Sequence, residues 1–159
     1  RKLKELSEKD ALTGIYNRGK FDQELSRAIN MAERYEYIFS LIMIDLDNLK
    51  TVNDQMGHQA GDKILKEFAG LVRSQLRASD LFARWGGDEF IVLLPYTDSE
   101  QAIAMAERIS NTVESYNSAV VDKMSCSFGI AVYKENDDPN TIVQRADNML
   151  YEAKSKKKI

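Results

Sequence analysis

Two short apolar runs, residues 81–85 and 90–94, flank Gly86-Gly87-Asp88-Glu89, and this arrangement restricts the fold more than any other stretch of the chain. Strand-like runs so close together pack only if the chain reverses between them. Paired glycines suit such a reversal because they accept positive φ without a Cβ clash. The spacing therefore predicts an antiparallel hairpin with acidic residues at its tip. Around it, Phe21, Leu25, Ile29 and Met31 or Ala32 recur at helical spacing over Arg18–Arg34, and a strand-like run follows over 37–44. Further helices are predicted over about 58–76, 99–116 and 140–156, and one more strand over 124–133. In the first of these helices Ile64, Leu65, Phe68, Leu71, Val72 and Leu76 form the apolar face. The order αβαββαβα, with one tight hairpin, points to an α+β fold in which one mixed central sheet is surrounded by helices.

A chain of 159 residues fits one domain, and it shows no internal repeat, no interdomain linker and no low-complexity segment beyond a lysine cluster near its end. With 22 basic and 25 acidic side chains, the net charge of −3 offers no basic excess for direct binding of a nucleic-acid polymer. A single cysteine, Cys126, and a single histidine, His58, exclude an internal disulfide and a Cys/His zinc site. The longest mainly apolar run, 38–44, is broken by Ser40 and is far shorter than the ~20 residues of a membrane-spanning helix. No membrane contact by this domain is expected. The amino end lacks an apolar signal core and does not begin with methionine, so it reads as part of a longer chain whose regulatory portions lie elsewhere. The expected location is the cytoplasm, including the cytoplasmic portion of a membrane-anchored sensor.

The chemistry concentrates in two acidic places. Asp45-Leu46-Asp47 ends an apolar strand, where period-two geometry puts both carboxylates on one side. An EF-hand calcium loop is excluded, since Leu49 and Lys50 stand where that pattern needs an oxygen ligand and a glycine. Taken alone, the Asp-x-Asp is a solubilising strand exit and the Gly-Gly-Asp-Glu a solvated turn. If the hairpin lies beside the strand ending at Asp45, however, carboxylates from both could hold Mg²⁺, which uses one or two carboxylates together with substrate phosphates. That combination suits phosphoryl or nucleotidyl transfer. No Walker A loop is present to cradle the phosphates.

The run Gly86-Gly87-Asp88-Glu89-Phe90 resembles the signature of the GGDEF family of diguanylate cyclases. Asp10-Ala11-Leu12-Thr13-Gly14-Ile15-Tyr16-Asn17-Arg18 is similar to that family's opening motif, and Asp45 to Asp54 to its metal and nucleotide strand. Gly57-His58-Gln59-Ala60-Gly61-Asp62, Ser127-Phe128-Gly129-Ile130-Ala131 and Arg145 to Lys154 follow in the expected order, so the resemblance covers nearly all of the chain.

The resemblance implies a palm-like nucleotide cyclase fold over residues 9–159, preceded by the end of a linker helix over 1–8. It implies the conversion of two GTP into cyclic di-GMP and pyrophosphate across a homodimer, with cyclic di-GMP as product and inhibitor. The alternative is a noncatalytic receptor for GTP or cyclic di-GMP. By similarity, Asp45, the Leu46 carbonyl and Asp88 hold Mg²⁺, or Mn²⁺ in its place. Asp88 would also take the proton of the attacking 3′-hydroxyl, Glu89 is the other acidic candidate, and Lys50 stabilises transition-state charge. Asn53, His58 and Asp62 would contact substrate, an aspartate being a suitable acceptor for the N1–H and exocyclic amine of guanine. Lys154 would contact phosphate. Lys158, standing where the family has an arginine, is the further substrate-binding candidate toward phosphate. Arg77 and Asp80 match the family's RxxD inhibitory site, and Arg108 an arginine that can complete it.

Overall fold

The structure is a computed structural model that describes residues 8–157. Of the expected linker segment only Glu8 is included, and Lys158 also lies outside the described residues. In chain order the elements are α1 (Arg18–Arg34), β1 (Phe39–Leu46), α2 (Leu49–Met56), α3 (His58–Gln75), β2 (Leu81–Arg84), β3 (Glu89–Pro95), α4 (Ser99–Glu114), β4 (Cys126–Val132) and α5 (Pro139–Lys157). The strands form one sheet in the order β2-β3-β1-β4.

All three strand pairings are antiparallel, so the sheet is mixed only through one isolated parallel bridge between Tyr16 and Ala83. β1 lies inside the sheet with both faces covered, which is why its sequence is continuously apolar and does not alternate. Ile42, Ile44 and Leu46 face a core built with α3 and α4, including Phe68, Val72 and Ile109. Phe39, Leu41 and Met43 face the other core, built with α1 and α5, including Phe21, Leu25 and Leu150. Ser40 is tolerated within this run because its hydroxyl donates to the Thr97 carbonyl at 2.7 Å.

Several expectations change in detail. The run after β1 contains a separate helix, α2, which the pattern did not predict; Gly57, at φ 90°, then breaks the chain before α3. On α1 the buried face is Phe21, Leu25, Ala28 and Ile29, whereas Met31 is exposed. The hairpin is present, closed by the Trp85 and Gly86 N–H groups on the Glu89 carbonyl at 2.8 and 3.1 Å. Neither Gly86 nor Gly87 has positive φ, however, so the reason first given for those glycines does not hold.

Gly129 is where the fold requires a glycine for close approach. A Cβ there would overlap the Ala146 carbonyl and the Leu150 N–H of α5, with Leu150 Cα at 2.9 Å. This contact seats α5 directly on β4 and so determines where the lysines at the end of α5 arrive. Among the described residues, no helix is long and apolar enough to cross a membrane.

Candidate active site

The strand period that buries Phe39, Leu41 and Met43 under α5 carries on to Asp45, so this carboxylate also points to the α5 side. Lys154 of α5 meets it there, with Nζ bonded to Asp45 Oδ2. The antiparallel register sets Glu89 of β3 and Ser127 of β4 on either side of Asp45, and the Leu46 N–H donates to the Asp88 carbonyl at 3.1 Å. The two acidic places thus converge at one end of the sheet.

Asp45 is only 5% exposed, and its Oδ1 has no hydrogen-bond partner. Burial, followed by the charges of Asp88 and Glu89, pushes its pKa up to about 6 against the opposing pull of Lys154. Glu89 is raised too, first by burial and then by the charges of Asp147 and Asp88. Asp47 behaves in the opposite way. Burial would raise it, but Lys157 Nζ at 2.8 Å and the hydroxyls of Ser125 and Ser127, each at 2.9 Å, more than offset this and hold it below the ordinary carboxylate range.

A buried carboxylate oxygen without a donor, beside further carboxylates that raise its pKa, is a donor set suited to a divalent cation. Among the described residues no three His, Cys, Asp or Glu side chains form a closed metal cage. Mg²⁺ does not need one, since it keeps positions for water and phosphate oxygens. Asp45 and Asp88, with Leu46 in the wall of the adjoining cleft, are the residues that could hold such an ion.

Beside the acids opens a cleft of about 820 Å³, whose walls include Lys50, Asp88, Lys123, Ser125, Lys154 and Lys157. Asn53, His58 and Asp62 are not in its lining and group instead around the junction of α2 and α3, His58 exposed at the first position of α3 and Asp62 exposed one turn later. Arg77 and Arg108 come together elsewhere, lining a cavity of about 220 Å³ with Thr97 and Met105. Asp80 holds Arg77 through Nη2 at 3.0 Å and Nε at 3.3 Å, and Arg77 Nη2 also donates to Thr97 Oγ1 at 2.9 Å.

Sequence reasoning missed four residues. Lys157 follows Lys154 at i+3 and therefore shares its face, a signal hidden inside the lysine cluster. Ser125 and Lys123 lie on the loop before β4 and carry no pattern of their own. Gly61 is the most informative: it sits inside α3, where a Cβ would overlap Asn53 Oδ1 and lie 3.0 Å from Asn53 Cγ. A glycine within a helical pattern signals a packing reason, and here the reason is the place of the Asn53 side chain.

Known proteins resemble this chain in sequence and in fold. A family profile described as "Diguanylate cyclase, GGDEF domain" matches residues 7–158. Diguanylate cyclase DgcS of Shewanella oneidensis is 40% identical over 146 residues, 92% of this chain and 49% of that protein. Probable diguanylate cyclase DgcT of Escherichia coli is 40% identical over 160 residues, 97% of this chain and 35% of that protein. The chain thus spans half or less of the length of these relatives. Among solved structures, the coiled coil and GGDEF domain of DgcB from Caulobacter crescentus, in complex with c-di-GMP, superposes with a TM-score of 0.91 at 29% identity, covering 97% of this chain and 84% of that one. A profile matching nearly the whole chain, on a sheet whose end gathers the signature carboxylates, makes this chain a member of the GGDEF diguanylate cyclase domain family.

Proposed function

We propose that the chain is an active diguanylate cyclase domain that binds one GTP and, facing a second copy of itself, joins two GTP into cyclic di-GMP. The observation that carries this reading is the buried, donorless Asp45 Oδ1 at the point where the β1 and β3 carboxylates meet beside a lysine-lined cleft. Bound there by Asp45, the Leu46 carbonyl and Asp88, Mg²⁺ would supply charge neutralisation for the triphosphate. The chain's own groups do the rest. Asp88 accepts the proton of the 3′-hydroxyl as that oxygen bonds to the α-phosphorus of the other nucleotide. The bond from that phosphorus to the β,γ-diphosphate breaks and pyrophosphate leaves, once per GTP. Lys50 and Lys154 face the phosphate charge that develops. Asn53 and Asp62 read the guanine edge, with His58 beside them.

The open space around Gly86 and Gly87 supports a ligand at the apex. An added Cβ at Gly87 would meet nothing within 4 Å, and one at Gly86 only Glu89 Oε1 at 3.9 Å. Internal packing does not call for glycine at either position. A nucleotide approaching the backbone closely does.

For control, the Arg77 and Arg108 cavity is proposed to take cyclic di-GMP, with Asp80 fixing the Arg77 fork. The domain is assigned to the cytoplasmic side of the cell, where GTP is available. The test is incubation at high protein concentration with GTP and Mg²⁺ and identification of the product by mass. Asp88→Asn should abolish synthesis in a folded protein. Unchanged synthesis in that variant refutes the assignment, and nucleotide binding without product in the parent leaves a receptor.

A further inference from the structure

The opening stretch 10–18 matches the family in sequence but is absent from the lining of the cleft, and its hydrogen bonds lead to the hairpin tip. Asp10 first closes a turn. Thr13 donates to Asp10 Oδ2 from its N–H at 2.9 Å and from Oγ1 at 2.7 Å, and the Asp10 N–H reaches the Ile15 carbonyl at 2.7 Å. Gly14, at φ 76°, donates its N–H to the Asp10 carbonyl at 2.9 Å. The chain then runs along the outer edge of β2. The Tyr16 N–H reaches the Phe82 carbonyl at 3.3 Å, and the Arg84 N–H the Tyr16 carbonyl at 2.9 Å.

From the end of β2 the Arg84 side chain reaches in two directions. Nη1 lies 3.4 and 3.3 Å from the two Asp10 carboxylate oxygens. Nη2 donates to the Gly87 carbonyl at 2.7 Å, and Nε lies 3.1 Å from the Gly86 carbonyl and 3.3 Å from that of Gly87. Each side chain of the pair is only 19% exposed. One planar guanidinium thus joins the turn at Asp10 to both glycine carbonyls of the apex, and a lysine ammonium could not span both. Apart from this clamp, the two bonds to the Glu89 carbonyl close the hairpin and the Leu46 N–H holds the Asp88 carbonyl at 3.1 Å, while the space around both glycines is open and their carbonyls are held by Arg84.

We propose that Arg84, oriented by Asp10, is a positioning residue for the cyclase reaction, fixing the Gly86 and Gly87 peptides and thereby the place of the adjoining Asp88 carboxylate relative to Asp45. Arg84 acts through the hairpin and not on the substrate. The inference rests on the reading of the site given under Proposed function. Its effect belongs chiefly in kcat, because the groups assigned to guanine stand on α2 and α3 and the clamp holds the hairpin.

The test uses Arg84→Gln, Arg84→Lys and Asp10→Asn in the whole chain. Four quantities are measured: initial rates with GTP and Mg²⁺, the affinity for a nonhydrolysable GTP analogue, the Tm, and amide hydrogen exchange over residues 85–90. Misplacement of a reacting group by about 1 Å can lower a rate by about 10²-fold, so kcat should fall roughly 10- to 100-fold in Arg84→Gln. Analogue affinity should fall far less than kcat, exchange at residues 86–88 should quicken, and Arg84→Lys should restore little. A parent-like kcat in Arg84→Gln overturns the proposal. So does a joint fall of kcat, analogue affinity and Tm, which marks a role in folding alone. If Arg84→Gln does not fold, Asp10→Asn, which leaves the bonds to the glycine carbonyls in place, decides on the same readouts. If the parent makes no cyclic di-GMP, the functional reading fails but the clamp is still judged by exchange: unchanged protection at residues 86–88 in Arg84→Gln overturns it, and faster exchange at parent-like analogue affinity upholds it.

Discussion

Replacing Gly61 by alanine separates a residue's effect on the fold from its effect on the site. In the interior of α3, alanine is favoured over glycine by about 1 kcal/mol of helix propensity. The added Cβ would overlap Asn53 Oδ1 and come within 3.0 Å of Asn53 Cγ, while no backbone atom is among its nearest contacts. The chain relieves the overlap by turning one flexible, half-buried side chain away. Stability should therefore hold or rise, with Tm moving by no more than about 3 °C for a domain of this size. Binding should move the other way. If Asn53 makes two hydrogen bonds to the base, losing them costs about 1–3 kcal/mol, or roughly 5- to 150-fold in Kd for GTP. The assay is calorimetric titration of a nonhydrolysable GTP analogue into the parent, Gly61→Ala, Asn53→Ala and the double variant, with thermal melts of each. Because both substitutions remove the same contact, the double variant should bind no worse than Asn53→Ala. Parent-like binding by Gly61→Ala refutes the reasoning, as does full additivity of the two losses.

Gly129→Ala should act on the fold, because its Cβ would overlap backbone atoms of α5 that cannot rotate away; a loss of about 3 kcal/mol or more should appear as a Tm lower by roughly 6–12 °C. Arg77→Ala and Asp80→Ala should each relieve inhibition by cyclic di-GMP while leaving the uninhibited rate in place, read from product titrations of the initial rate. The Asp137–Arg145 pair, 2.7 Å apart and with Asp137 almost wholly buried, sets an acid limit on stability. Burial would raise the Asp137 pKa, but the bonds from Arg145, the Lys134 N–H and Thr141 more than offset this and hold it below the ordinary value. A depressed folded-state pKa contributes stability above the unfolded value near 4 that is lost as pH falls through the folded one. The Tm gap between the parent and Asp137→Asn should therefore be full at pH 6 and should close below about pH 4.

What could be read in the sequence was what a single element declares by itself. β1 is legible because burial on both faces leaves an apolar run, and α1 because Phe21, Leu25 and Ile29 recur on one buried stripe. Helix α2 is not legible: over eight residues only Leu49 is buried, too little to establish a helical period. The acidic residues were legible as types at strand ends, and their convergence followed once the hairpin was set beside β1. The glycines of the apex were legible as a turn but for a reason that fails, since they take no positive φ and their surroundings are open. The dependence of Asn53 on Gly61, of Asp47 on Ser125 and Ser127, and of the apex on Asp10 was hidden. Each joins residues on different elements, and no periodicity within one element encodes such a contact.

The position of Lys154 joins the scaffold to the chemistry. Helix α5 is seated on β4 where Gly129 lets the two backbones touch, and Arg145 binds it again through Asp137 and the Val132 carbonyl at 2.7 Å. About two turns beyond the Gly129 contact, the same helix delivers Lys154 to Asp45 and Lys157 to Asp47 and the Cys126 carbonyl. Those two lysines divide the acidic strand end into unequal halves. Asp47 is fully satisfied by three donors besides its own backbone and is a structural anchor for the end of β1. Asp45 receives one lysine on Oδ2 and nothing on Oδ1, so of the two it is the one that retains an unused buried acceptor, in a carboxylate on which the charges of Asp88 and Glu89 act. Two aspartates of the same type, two residues apart on one strand, are thus given different tasks by the helix laid across them. A shift of α5 on β4 would disturb both tasks together, which is why tight packing at Gly129, remote from any reacting group, is a requirement of the site as well as of the fold.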